Sequence, residues 1–412
     1  MTMLDHIQRL QFDDKPAAEA LLLSFLREAL ALDVRSVMLR PLAVSLNSFN
    51  GFLTLSDGRE LFFKTHTEPD GVLSEYYQAE QLAQAGYPVL QPVFQSTQAG
   101  QQLLVYEVVR EPSVFDVAWA IENGDATHAQ SLARAQQATD VRLAEIYADT
   151  LAVQTSEQAA SAPVHQLFSH RLTAGRLTRF YGETGAEIEI ALPDGERVMM
   201  ADVLRARWTV NGQQYAQTLA EMIERAKRVL APAQGGPAII GHGDAHNGNV
   251  FFRGADQLLL YFDPAFAGRH HPLMDLVKPL FHNVFAMWMY FPREKHAALS
   301  LSLRRDGSAW HVEHDYTLPP IREMFLESKL QHVLMPTLVS LRQRGLLRPD
   351  WREYLKAALM CCPLLTMNLA DQQRFPPAIS LLGLVMAVEM GAESQGVRSR
   401  VDSALDRASQ AL

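Results

Sequence analysis

The order in which two textures follow each other restricts the fold of this chain more than any other feature. Up to about residue 110, apolar residues come in short strand-like runs, Val37–Leu46, Gly51–Leu55 and Glu60–Thr65, with Asp57-Gly58 as the hairpin turn between the last two. A helix over Ala17–Leu32 precedes them, with Leu21, Leu22, Phe25, Leu26 and Leu30 at helical spacing. A second helix, Gly71–Ala85, is closed by Gly86 and Pro88, and Val93–Gln95 and Leu103–Val109 read as two more strands. Beyond Pro112 the pattern turns helical: Val114–Asn123, Asp140–Val153, Tyr215–Leu230, and everything from Leu273 on, apart from loops near Asp306–Pro320 and Gly345–Asp350. Glu187–Ala191 and Glu196–Met199 alternate around Asp194-Gly195 and predict a hairpin inserted near 180–210. Two short strands, Ala238–Ile240 and Leu258–Phe262, flank a polar loop. This order predicts an α+β protein. Residues 1–110 form a small β-rich N-terminal lobe with a leading helix, a five-stranded sheet and one further helix, and residues 111–412 form a larger helical lobe.

Composition narrows the partners. With 37 Lys+Arg against 46 Asp+Glu the chain carries a formal charge of −9, which does not suit a protein whose main partner is a nucleic-acid backbone. The two cysteines, Cys361 and Cys362, are adjacent in an apolar run and read as buried thiols in a reducing compartment. Met1–Lys15 has no apolar core of a signal peptide, and the longest uncharged apolar runs, Pro279–Pro292 and Ala357–Ala370, hold 14 residues each. A membrane span needs about 20. The expectation is a cytoplasmic enzyme with no membrane partner.

The stretch Gly241-His242-Gly243-Asp244-Ala245-His246-Asn247-Gly248-Asn249, followed by Tyr261-Phe262-Asp263-Pro264, carries the chemistry. Two carboxylates and an amide separated by loop suit transfer from Mg-ATP. A hydroxyl that attacks a phosphoryl group needs a carboxylate to orient it, and the triphosphate needs a hard cation held by oxygen ligands. Asp244 and Asn249 stand 5 residues apart, as in the His-x-Asp-x-x-x-x-Asn loop of kinases, and Asp263 lies 19 residues beyond Asp244 at a strand end.

His-Gly-Asp-x-His-x-x-Asn, then Asp263, then Asp275-Leu276 twelve residues later, resembles the aminoglycoside phosphotransferase and choline kinase-like family of small-molecule kinases. The resemblance implies a protein-kinase-like two-lobe fold and the cofactors ATP and Mg2+. It also implies that Asp244 is the catalytic base, that Asn249 and Asp263 bind magnesium, and that His242 and Asp275 support the catalytic loop. Asp263-Pro264-Ala265, Gly268 and Gly248 look like the fructosamine kinase branch, which however has an aromatic residue where His246 stands. With only 12 residues between Asp263 and Asp275 there is no long activation segment.

A kinase-like lobe should also hold a strand lysine paired with a helix glutamate, together aligning the α- and β-phosphates. Lys64, after Phe62 and Phe63, is that lysine. Glu75 or Glu80 is the glutamate; Glu75 is favoured because it shares a helix face with Ala79 and Leu82. The phosphate-covering loop Leu46-Asn47-Ser48-Phe49-Asn50-Gly51 departs from the Gly-x-Gly-x-x-Gly form, and Ser48 as a hydroxyl donor and a plain hairpin turn are equal readings. Backbone groups of Glu107 and Val109 are the candidates for holding adenine.

The acceptor is expected to be a small hydroxylated molecule of aminoglycoside, choline-like amine or sugar type. Glu313 and Asp315 in a loop, and Glu323 and Glu327 on the following helix, are acidic candidates for a cationic acceptor, although a solvated face explains them more simply. His270 and His271 are read as local hydrogen-bonding residues, and the aromatic run Phe281, Phe285, Trp288, Tyr290 and Phe291 as core. Two other functions compete. An inactive nucleotide-binding protein would not require the full Lys, Glu, Asp, Asn and Asp set. A zinc hydrolase using the alternating His242, Asp244 and His246 would leave Asn249, Asp263 and the β-rich lobe unexplained.

Overall fold

The computed structural model describes residues 3–41, 48–66, 71–96, 98 and 100–412, with the side chains of residues 48, 66 and 71–77 excepted. The chain divides into two compact units, Met1–Pro112 with Leu260–Ala267, and Ser113–Leu259 with Gly268–Leu412.

The first unit opens with α1 (Met3–Asp13), which the sequence reading passed over, and α2 (Lys15–Glu28), the helix expected over Ala17–Leu32. The break lies at Asp14, whose carboxylate caps α2 by accepting from Ala17 N at 3.0 Å ahead of Pro16. An antiparallel sheet follows, built of β1 (Val34–Leu39), β2 (Ser48–Leu55), β3 (Glu60–His66), then α3 (Gly71–Ala85), β4 (Phe94–Ser96) and β5 (Leu103–Glu107). The strand order is β1-β2-β3-β5-β4. Two-residue alternation sorts the faces. Leu61 and Phe63 of β3 join Phe49, Leu53, Leu103 and Val105 beneath Leu4, Ile7, Leu22 and Leu26 of the two leading helices. Phe62 and Lys64 fall on the opposite face, with Leu104 and Tyr106 of β5. Gly51 is required where β2 passes β1, because a Cβ there would lie 2.1 Å from the carbonyl oxygen of Met38. The segment 260–267 belongs to this unit through backbone bonds: Tyr261 N donates to Pro88 O at 2.8 Å and Leu90 N to Tyr261 O at 2.9 Å.

The second unit is mainly helical. Trp351–Leu365 and Pro377–Gly391 are buried along most of their length, as is Pro272–His282. The long helix Ala129–Thr150 is held by Asp140, which receives Ser328 Oγ at 2.7 Å, Gln136 Nε2 at 2.9 Å and the ammonium of Lys329, all buried. The predicted insert hairpin forms, with Glu189–Ala191 paired to Arg197–Met199. The loop expected near Asp306–Pro320 is instead largely a hairpin, Leu301–Asp306 with Ala309–His314. Its Ala309–His314 strand pairs in parallel with Arg207–Val210 in a five-stranded sheet that also holds Gln213–Tyr215 and Ser394–Gly396. Trp310 and Val312 are buried there, the Trp310 and Trp208 ring centroids 5.1 Å apart, so the partners that make this segment a strand lie far away in sequence. Among the described residues, no helix is long and apolar enough to cross a membrane.

Candidate active site

In the first unit the sheet face opposite the leading helices presents Lys64. Its Nζ lies 2.8 Å from Asp263 Oδ1. Asp263 takes a left-handed backbone, φ 54°, a conformation that is costly outside glycine and that Asp tolerates better than most residues. Its neighbours hold it there. Phe262 packs edge-on against Phe62 and Tyr106, with centroids 6.4 and 5.9 Å apart, and Pro264 follows, its carbonyl accepting from Ala267 N at 2.9 Å. Glu80 is exposed and accepts from Gln84 on its own helix at 3.1 Å, a surface contact. Glu75 lies on α3, but its side chain is outside the described residues; so are residues 42–47 and the side chain of Ser48, whose backbone pairs with His66. Glu107 ends β5 with an exposed carboxylate 3.7 Å from Arg59, and Val109 follows two residues later, half-buried.

In the second unit the polar loop hangs from the central strand of a three-stranded sheet, Gly236–Gly241, flanked by Gly268–His270 and Ala152–Gln154. Asp275, one turn into Pro272–His282 and 2% exposed, clamps it. Gly243 N donates to Asp275 Oδ1 at 2.5 Å, His270 Nε2 to the same oxygen at 3.0 Å, and the Tyr147 hydroxyl to Oδ2. Burial would push the Asp275 carboxyl up, but the hydrogen bonds from His270, Tyr147 and Gly243 outweigh it and hold it at about 2. The clamp leaves no room at Gly241, where a Cβ would lie 2.6 Å from both Asp275 Cγ and His270 Nε2.

Beyond the clamp the loop is braced from within. Buried His242 offers Nδ1 to Asp244 N at 3.4 Å, Asn249 Nδ2 donates to Asp244 O at 3.0 Å, and His246 Nδ1 accepts from Gly248 N at 3.1 Å. Asn247 N donates to Asn283 Oδ1 at 2.7 Å. The Asp244 carboxylate is left facing Lys278, 3.6 Å from Oδ1, and that oxygen has no hydrogen-bond partner among the described residues. Lys278 Nζ donates in turn to His282 Nε2 at 3.3 Å, which leaves the His282 proton on Nδ1, 2.7 Å from the Tyr290 hydroxyl. Burial and the Lys278 charge push His282 well below its ordinary value, so it is neutral. Asp263 and Asn249 offer carboxylate and amide oxygens, the hard donors that magnesium takes. Nδ1 of His242 and Nδ1 of His246 serve the loop's own backbone, and among the described residues no three His, Cys, Asp or Glu side chains gather as a metal set.

Lys278, His282 and Arg171 were not singled out from the sequence. The first two were legible: Asp275, Lys278 and His282 recur along one face of a helix whose every residue is buried, and a polar stripe in such a helix has a purpose. Arg171, on the short helix Ser169–Thr173, gives no such signal. Three of the four acidic candidates for an acceptor are engaged elsewhere, and the fourth, Glu313, is exposed. Glu327 binds Arg407 at 2.6 Å, Glu323 binds Arg400, and Asp315 Oδ1 accepts from Ser300 N at 2.9 Å. His271 caps Pro272–His282 by accepting from Leu273 N at 3.2 Å, in keeping with a local role. Both cysteines are buried and unbridged.

Residues 39–316 match the phosphotransferase enzyme family APH, and the chain belongs to that family. The strand-rich start and helical remainder are the α+β, kinase-like organisation expected of such an enzyme. No curated protein matches the chain. Among solved structures, it is similar to the amicoumacin kinase hAmiN in complex with AMP-PNP, Ca2+ and Ami, at 14% identity over 86% of this chain and 87% of that one, TM-score 0.46. It is also similar to a macrolide 2'-phosphotransferase from Brachybacterium faecium, at 16% identity over 89% and 96%, TM-score 0.38. A third is an aminoglycoside phosphotransferase in ternary complex with ADP and hygromycin B, at 11% identity over 90% and 98%, TM-score 0.45. What each of these proteins binds is a property of that protein.

Proposed function

We propose that this phosphotransferase moves the γ-phosphoryl group of ATP to a hydroxyl of a small molecule, with Asp244 as the base. The observation that carries the reading is the state of the Asp244 carboxylate. The loop around it is pinned through Gly243 to an ionised, buried Asp275, yet Asp244 Oδ1 has no hydrogen-bond partner among the described residues and lies 3.6 Å from a cation. An unpartnered carboxylate oxygen on a fixed loop is the group that accepts a proton from an incoming hydroxyl.

The other residues take supporting parts. Lys64, held by Asp263 at 2.8 Å, aligns the α- and β-phosphates, with Glu75 of α3 as its proposed helix partner. Backbone groups of Glu107 and Val109 hold adenine, and Ser48 is the proposed hydroxyl donor to the phosphates. Asn249 and Asp263 would hold Mg2+, which when bound offsets charge on the triphosphate. Asp275 and His242 hold the loop so that Asp244 keeps its orientation, and the acceptor hydroxyl gives its proton to Asp244 as the new O–P bond forms and ADP departs.

The test is an ADP-release assay over aminoglycosides, choline-like amines, ketosamines, sugars and hydroxy acids, with D244N as the control. Removing the base should lower turnover by about 10²–10⁴-fold with AMP-PNP affinity preserved. Wild-type turnover in D244N would end the assignment, and zinc-dependent hydrolysis without ADP release would replace it.

A further inference from the structure

The surroundings of Asp244 are unusually cationic for a base that is to receive a cationic acceptor. Two nitrogens of the Arg171 guanidinium, Nε and Nη1, are buried and without a hydrogen-bond partner among the described residues. Burial pulls its pKa down, and the groups that push it back are Cys362, Asp244, Cys361 and Tyr290. Both thiols are raised by burial, Cys362 to about 11, and the Tyr290 hydroxyl is raised as well, so these three are neutral. Asp244 is the one carboxylate of that set, and Lys278, 4% exposed, already stands 3.6 Å from its Oδ1. Arg176 adds to the excess: burial and the charges of Arg171 and Arg179 bring it down to about 10. The Arg171 side chain is half-buried with Nε and Nη1 enclosed, and the guanidinium is left without the bidentate anion that its fork is shaped for. A charge buried in that condition is unfavourable unless a ligand completes it. Three of the four acidic residues that could have received a cation are meanwhile tied to Arg400, Arg407 and a backbone amide.

We infer that the acceptor is a hydroxylated anion, carrying a carboxylate or a phosphate that Arg171 grips while Lys278 balances the charge beside Asp244. This rests on the phosphotransfer reading for the role of Asp244, and it sets the substrate class within that reading. It departs from the aminoglycoside, choline-like and sugar acceptors expected from the sequence. The excess of positive charge lies at the site while the chain as a whole carries −9, so the attraction is local rather than a property of net charge.

The test titrates glycerate, glycerol 3-phosphate and glycerol by calorimetry into the full chain, both saturated with AMP-PNP and magnesium and free of nucleotide. At least one anion should bind at least about tenfold more tightly than glycerol, and R171Q should remove that preference while AMP-PNP affinity stays within about twofold. Preference for glycerate assigns a carboxylate, and preference for glycerol 3-phosphate a phosphate. Equal or absent binding of all three compounds overturns the inference, as does R171Q with undiminished anion preference. So does R171Q whose main defect is loss of AMP-PNP, which would mean that Arg171 serves the nucleotide. Should R171Q misfold, K278M takes its place, and the wild-type preference for anions still decides. Failure of the wild-type chain to bind AMP-PNP would instead count against the phosphotransfer reading, while the nucleotide-free titration still reads the anion site.

Discussion

His271 shows how a single residue couples the candidate site to pH. Its ring caps the helix that carries Asp275 and Lys278, lies 4.9 Å from the Tyr354 ring, and is held at about 3 by burial, with the charges of Arg348 and His270 adding to the effect. The ordinary value is 6.5, so the folded pKa is depressed. As pH falls below about 6.5 the unfolded chain takes up a proton that the folded chain refuses, and stability declines until about pH 3. H271N keeps a capping oxygen and loses the titration. Its stability, followed by urea midpoint from pH 6.5 to 4, should fall less steeply than the wild type, by about 1.4 kcal/mol per pH unit; an unchanged slope would refute the assignment. At this scale the sequence was informative where spacing carries chemistry. Lys64 and Asp263 are 199 positions apart and meet at 2.8 Å. Arg171 was invisible, because what marks it is the lack of a partner, and that is a property of packing.

At the scale of elements, the junction of the strand Gly236–Gly241 with the helix Pro272–His282 is the most demanding contact. The strand ends on Gly241 because Asp275 and His270 occupy the space of a side chain. G241A should therefore destabilise the protein by about 1–3 kcal/mol, the usual range for overpacking. It should also lower turnover, because the clamp on Gly243 N shares the displaced carboxylate. A denaturation midpoint equal to the wild type would show that the neighbours yield freely. Element type was legible where local signals were strong. Asp57-Gly58 turns the β2–β3 hairpin, with Gly58 at φ 89°, and Gly86 at φ 99° ends α3. Asn211-Gly212, both at positive φ, is the same kind of signal between Arg207–Val210 and Gln213–Tyr215, but the sequence reading passed over it and began a helix at Tyr215. The actual helix, Leu219–Val229, starts at the Thr218–Glu221 capping box.

For the molecule as a whole, nucleotide binding should appear as stability. AMP-PNP with magnesium at about 100 times its Kd adds about 2.7 kcal/mol to the folded state, enough to raise the melting temperature by several degrees. K64M should lose most of that rise, since Lys64 is the proposed phosphate contact. An unshifted wild-type melt would remove the nucleotide from the account. Order along the chain settled the division into a strand-rich beginning and a helical remainder, because alternation and helical periodicity are local and survive without knowledge of partners. It also fixed which polar residue types the loop at 241–249 carries. Folding in three dimensions settled the rest. The pairing of Ala309–His314 with Arg207–Val210, the clamp of Tyr147 and His270 on Asp275, and the Lys278 ammonium beside Asp244 all join distant segments. Each depends on what is buried against what, and burial is a sum over the whole packed chain that no local window contains.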